Sequence, residues 1–200
     1  MQRKAITILI ALMVAGCAGK QASPLSDYEA VDPVTILPAP GPVPGRFHPV
    51  DRDAIDQGQY LVELLGCGVC HTNGALEGAV QAGMALAGSD IGIAYSNPLG
   101  DELPGVVYPP NITPDDDTGI STWSDSRIGN AIRAGVGGHA GRIATMPWQA
   151  YAKLSDDDLD AIILYLRSIE PVEHRTPQPV APGHQARAPY IYFGVYRHRY

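Results

Sequence analysis

Cysteine is scarce in this chain, with three in 200 residues, and only Cys67 and Cys70 stand near one another. A small scaffold stapled by several disulfides is thereby excluded. Basic residues are also few, 14 against 21 acids for a formal net charge of -7, and they form no stripe that would follow a phosphate backbone. Nucleic acid is not an expected partner. Long apolar runs are almost missing, since the stretch from Ala5 to Ala15 is too short to span a bilayer as a mature helix. Internal repeats are absent, and regular strand signals are few.

What is present begins with Gln2-Arg3-Lys4, the apolar run, and then Gly16-Cys17. A charged start, a short apolar stretch and small residues before a cut make a secretory signal. Val14-Ala15-Gly16-Cys17 resembles a bacterial lipobox, which implies cleavage after residue 16 and a diacylglycerol on the Cys17 thiol. Acyl chains would hold the protein on a membrane surface, in the bacterial envelope and facing the periplasm. Ala18 in place of Asp after the cysteine favours the outer membrane. Losing residues 1–16 removes Arg3 and Lys4 and no acid, so the formal charge becomes -9. Such a surface steers towards a basic patch on a partner protein.

Composition divides the rest into a Pro-rich tether over 17–50, a core domain over 51–170 and a second Pro-rich extension over 171–200. The extension ends in the aromatic and basic stretch from Tyr190 to Tyr200, which reads as an edge strand, a docking segment or a tail packed on its own domain. Three helices are predicted. The first runs from Asp53 to Leu65, with Gly58, Leu61, Val62 and Leu65 on one face, and stops at Gly66. The second follows Ser124 as N-cap, turns Ile128, Ala131 and Ile132 inward, and ends at Gly135. Ser155 caps the third, Asp156 to Asp158 suit its positive end, and Leu159, Ile162, Ile163 and Leu166 repeat at helical spacing. Residues 74–120 are rich in Gly and Pro and carry few regular signals, so they need a large bound group to wrap around.

Cys67-Gly-Val-Cys70-His71 supplies that group. A structural zinc site wants about four ligands and there is no second cysteine pair. A thioredoxin-like switch places its pair after a strand, whereas an apolar helix precedes this one. A plain disulfide does not require a histidine next to it. In C-x-x-C-H both thiols form thioethers to the vinyl groups of one haem c, and the histidine becomes the proximal iron ligand.

A second axial ligand must then come from elsewhere. Met146, in Ala144-Thr-Met-Pro-Trp148, is the first choice, because Pro147 stiffens the backbone just before the third helix. Met84 is the second candidate and His139 the third. Histidine with methionine raises a haem potential relative to two histidines.

The sequence resembles the class I monohaem cytochromes c, and specifically the cytochrome c subunits of bacterial membrane-associated alcohol and gluconate dehydrogenases. The likeness rests on Gly58-Gln-Tyr-Leu61, Cys67 to Thr72, Tyr108 to Asp115, Thr118 to Ser124, Ala131 to Val136, Met146-Pro-Trp148, and Leu154 to Arg167. These stretches cover residues 53–170. The resemblance implies an all-α fold with haem in a crevice, its first and last helices crossing at Gly58 near Tyr165 and Leu166. It implies Met146 as distal ligand, and it places Asn111, Trp123 and Arg133 near the haem, where one of them would contact a propionate. Loop anchoring for Asn111, core packing for Trp123 and a solvated helix face for Arg133 are the alternatives. The implied function is outer-sphere transfer of single electrons between a dehydrogenase and a downstream oxidase or cytochrome, without catalysis by the chain itself. A haem catalyst or gas sensor with a displaceable distal ligand, and an envelope lipoprotein with a disulfide, are the competing classes.

Overall fold

The computed structural model describes residues 31–34, 36–96, 103–137 and 145–192. The expected signal peptide, Cys17, His139 and residues 193–200 lie outside them. Among the described residues five α-helices follow one another as α1 (Arg52–Leu64), α2 (Cys67–His71), α3 (Asp125–Ala134), α4 (Trp148–Tyr151) and α5 (Asp156–Ser168).

The three helices expected from periodicity are α1, α3 and α5. Ser124 and Ser155 cap α3 and α5 by accepting from the backbone N–H of Arg127 and Asp158. Gly135 ends α3 in the left-handed conformation that costs glycine little. Ile55, Gly58, Leu61 and Val62 form the buried stripe of α1, and Leu159, Ile162, Ile163, Tyr165 and Leu166 that of α5. At the crossing, a Cβ on Gly58 would run into the Ala161 carbonyl, so glycine is what lets the two backbones approach. The stripes join Leu86, Ile120, Ile128 and Ile169 in one core cluster. Each such residue contributes roughly 1.5–3 kcal/mol by burial. The Arg167–Asp125 pair at 2.6 Å, which ties α5 to the start of α3, is partly solvated and contributes at most about 1 kcal/mol.

A small sheet was not expected. β1 (Gly92–Ala94) pairs antiparallel with β2 (Val106–Val107) and parallel with β3 (Tyr190–Tyr192), in the order β2-β1-β3. The domain is mostly helical, as expected, and carries this small sheet in addition. Strands of two or three residues are too short to show alternation, which is why residues 74–120 read as irregular. The described part of the predicted C-terminal extension packs on its own domain, with β3 as an edge strand. Val180 also pairs with Val106 on the far side of β2.

The described residues 31–34 and 36–50 of the expected tether lie along the domain. Val34 N–H donates to the Ala75 carbonyl and Val43 N–H to that of Ser168. Gln59 donates to the Ala39 carbonyl, Tyr165 to that of Pro40, and Arg46 to that of Ile169. Proline keeps this segment extended, as its composition suggested. Its carbonyls and apolar side chains, Ala39 and Phe47 among them, nevertheless find partners on α1 and α5. Among the described residues no helix is long and apolar enough to cross a membrane.

Candidate functional site: a covalent cofactor crevice

Gly66 links α1 to α2 at φ +69°, and the chain then makes a single helical turn from Cys67 to His71. That turn sets both thiols and the imidazole side by side. Cys67 packs on the main core, and Cys70 on the apolar cluster of Leu76, Ile91 and Ile93. The two sulfurs form no disulfide with each other. Burial pushes Cys67 up to about 12 and raises Cys70 as well. A thiol switch works through a low-pKa thiolate, so this environment is wrong for one. Nor do the described residues hold any cluster of three or more His, Cys, Asp or Glu placed to bind a metal ion.

His71 is the most informative side chain here. Its Nδ1 lies 2.8 Å from the Pro110 carbonyl oxygen, which can only accept, so Nδ1 carries the proton. Nε2 therefore keeps its lone pair for a metal. Burial lowers the imidazole pKa, partly offset by the bond to Pro110, so the ring stays neutral.

The carbonyl of Pro110 is delivered by a local backbone ladder. Gly88 N–H donates to the His71 carbonyl, Ser89 N–H to Pro109 and Ile112 N–H to Leu86, at 2.8–3.0 Å. Gly88 lies at φ +88°, and a Cβ there would come within 2.7 Å of Asn111 N. Glycine thus permits the close approach of the two segments.

Asn111 is 3 % exposed and fully engaged. Its amide donates to Thr118 Oγ1 and the Val172 carbonyl, and its oxygen accepts from the backbone and hydroxyl of Thr113. Both amide hydrogens are committed to the loop, so the propionate contact implied for Asn111 gives way to loop anchoring. Trp123 packs against the main core, with the Arg127 guanidinium 3.7 Å from its ring centre. Arg133 donates to Asp156 Oδ1 and the Leu154 carbonyl, both at 2.7 Å, bridging the end of α3 to the corner before α5. It is a structural tie instead of a solvated face, and its Nε is buried without a partner.

Asp115 closes the same loop. Its Oδ1 accepts from the Thr118 hydroxyl and backbone, each at 2.7 Å, and from Asp117 N–H. The Thr118 hydroxyl bond, ahead of the backbone bonds, holds its pKa below the usual 3.8. A depressed carboxylate contributes stability that is complete above its unfolded pKa and is lost as pH falls through the folded one. Asp115→Ala is therefore expected to lower the urea midpoint at neutral pH. The gap from wild type should close well below pH 3.8, as matched denaturation curves at the two pH values will show.

Met146 is half-buried just ahead of α4, and Met84 is half-buried in the turn before Gly88. The Met146 carbonyl accepts from Trp148 N–H at 2.8 Å. Sequence reasoning missed the roles of Pro110 and of Tyr151, whose hydroxyl donates to the Leu65 carbonyl at 3.0 Å. The stretch Tyr108 to Asp115 had marked the first as part of a motif, and nothing marked the second. Two thiols and a neutral imidazole on one turn, set among apolar side chains, fit a covalently bound haem c.

Comparison with known proteins agrees. The family model described as cytochrome c matches residues 55–170. The fructose dehydrogenase cytochrome subunit of Gluconobacter japonicus is 32 % identical over 143 residues, 70 % of this chain and 26 % of that protein. The cytochrome c subunit of the quinone alcohol dehydrogenase of Gluconobacter oxydans is 31 % identical over 139 residues, 68 % and 26 % of the two chains. The gluconate 2-dehydrogenase cytochrome c subunit of Pantoea cypripedii is 32 % identical over 120 residues, 59 % and 24 %. The chain thus spans about a quarter of the length of these curated relatives.

Proposed function

The chain belongs to the cytochrome c family and carries haem c, and from that premise we propose that it is a periplasm-facing carrier of single electrons. It takes them from a dehydrogenase and passes them to a downstream oxidase or cytochrome. The names of its relatives, cytochrome subunits of dehydrogenases, support the donor class. Haem c, when bound, supplies a one-electron iron couple. Cys67 and Cys70 would hold it, and His71 and Met146 would supply the two side-chain ligands to its iron.

The observation that carries this reading is the bond from His71 Nδ1 to the Pro110 carbonyl. It fixes the tautomer and the ring plane, and it strengthens Nε2 as a donor to iron. A ligand held by a rigid backbone ladder changes little between oxidation states, which suits a carrier more than a catalyst. Cys17 carries the lipid in this proposal, and residues 1–16 are the signal that directs export. The acidic surface steers encounter, and weak, fast docking is the expected interface.

Replacing Met146 by alanine tests the distal assignment. The potential should fall by roughly 0.1–0.3 V, within the ~0.8 V range that axial ligands command. The methionine-to-iron charge-transfer band of the oxidised protein should vanish. An unchanged spectrum would move the assignment to Met84 or His139. Carbon monoxide binding to reduced wild type at neutral pH would favour a catalyst or gas sensor.

A further inference from the structure

Tyr151 belongs to the segment that bears Met146, yet its hydroxyl is spent on the helix that leads into the haem-binding turn. We propose that Tyr151 is a positioning residue that locks the Met146 segment against the end of α1, so that the distal ligand is held at a fixed place relative to Cys67 and His71. The proposal rests on Met146 as distal ligand.

From Met146 to Tyr151 the backbone is one stiff unit. Trp148 N–H bonds to the Met146 carbonyl, and the N–H groups of Ala150 and Tyr151 reach the Pro147 carbonyl at 3.0 and 3.4 Å. Proline at 147 removes one torsional freedom from the same unit. The unit is pinned at two points. The Trp148 indole lies against Gly135 at the end of α3, where a Cβ would come within 2.7 Å of Trp148 Cγ. Tyr151 is 8 % exposed and donates to the Leu65 carbonyl.

Leu65 is the C-cap of α1, two residues before Cys67, and its carbonyl is one of the acceptors a helix end leaves without an intrahelical partner. Tyr151 thus satisfies a group that needs a donor. It also joins the two segments that bear the opposed axial ligands. Burial raises the pKa of the phenol, so it remains a neutral donor. A ring alone at this position would fill the space without aiming the segment.

The test compares Tyr151→Phe with Tyr165→Phe in the full-length holoprotein. Each variant removes one buried hydroxyl that donates to a backbone carbonyl, but the Tyr165 hydroxyl bonds to Pro40, outside both the Met146 segment and the haem-binding turn. The probe is imidazole, which must displace the methionine to bind ferric iron, so its apparent affinity reports how often that ligand is away. Tyr151→Phe should bind imidazole about five- to tenfold more tightly than wild type, the equivalent of one buried hydrogen bond. Its charge-transfer band should be lost on heating before the helical circular dichroism, and Tyr165→Phe should match wild type in both respects. Equal effects of the two variants, or none from Tyr151→Phe, would overturn the positioning role while leaving Met146 as ligand. A ferric wild type that shows no methionine band would remove both that ligand and this proposal.

Discussion

Gly58→Val should cost the holoprotein at least about 3 kcal/mol and shift its urea midpoint by roughly 1–3 M. A Cβ at this position meets the Ala161 carbonyl oxygen, stands 2.6 Å from the carbonyl carbon and 2.7 Å from Tyr165 Cβ. Overpacking of a core usually costs about 1–3 kcal/mol, because flexible side chains can yield. Here the obstacle is the backbone of α5, held by its own helical hydrogen bonds, so the cost lies at or above that range. The gain in helix propensity on replacing glycine is below about 1 kcal/mol and does not offset it. Against a total stability of about 5–15 kcal/mol, the change takes away a large share. Gly58→Ala should show the same sign with a smaller loss. Midpoints from circular dichroism of the three proteins check the order.

The second large effect is expected at Asn111. Asn111→Ala strands the Thr113 N–H and takes one partner each from the Thr113 and Thr118 hydroxyls and the Val172 carbonyl, which keep bonds to one another or to Asp115. A buried group without its partner costs about 1–3 kcal/mol and the three weakened groups add to it, so the loss should be about 2–3 kcal/mol. Asn111→Asp keeps the shape but cannot donate to the Val172 carbonyl, and it should be destabilised as well. The functional consequence travels one residue, to Pro110, whose carbonyl orients His71. Both variants should therefore also move the redox potential. A drop in stability with an unmoved potential would separate the loop anchor from control of the ligand.

The helical part of this fold was legible because its signals are local. Ser124, Gly135 and Ser155 mark helix ends by their own chemistry, and the apolar spacing of α1 and α5 survives without knowledge of the partner. The haem-binding turn was legible for the same reason, since five adjacent residues carry its chemistry. Pairings across long sequence distances were not. β1 joins β3 over about a hundred residues through three positions each, and no pattern within either strand announces the other. The proline content of residues 31–50 announced an extended backbone, but extension says nothing about whether the carbonyls of Ala39 and Pro40 face water or the Gln59 and Tyr165 side chains. Asn111 illustrates the limit of reading by resemblance. The resemblance placed it near the haem, while its amide is committed to Thr118 and Val172 and its oxygen to Thr113. Tyr151 carried no local mark at all, because its partner is a backbone carbonyl 86 residues away.

An optical redox titration of the purified, full-length protein, run under argon and again under carbon monoxide, tests the carrier function most directly. A held methionine opposite His71 predicts one reversible wave with a one-electron slope at the same potential under both gases. A wave displaced upward by carbon monoxide, which stabilises the reduced form where it binds, would contradict a closed electron carrier and identify an open haem site.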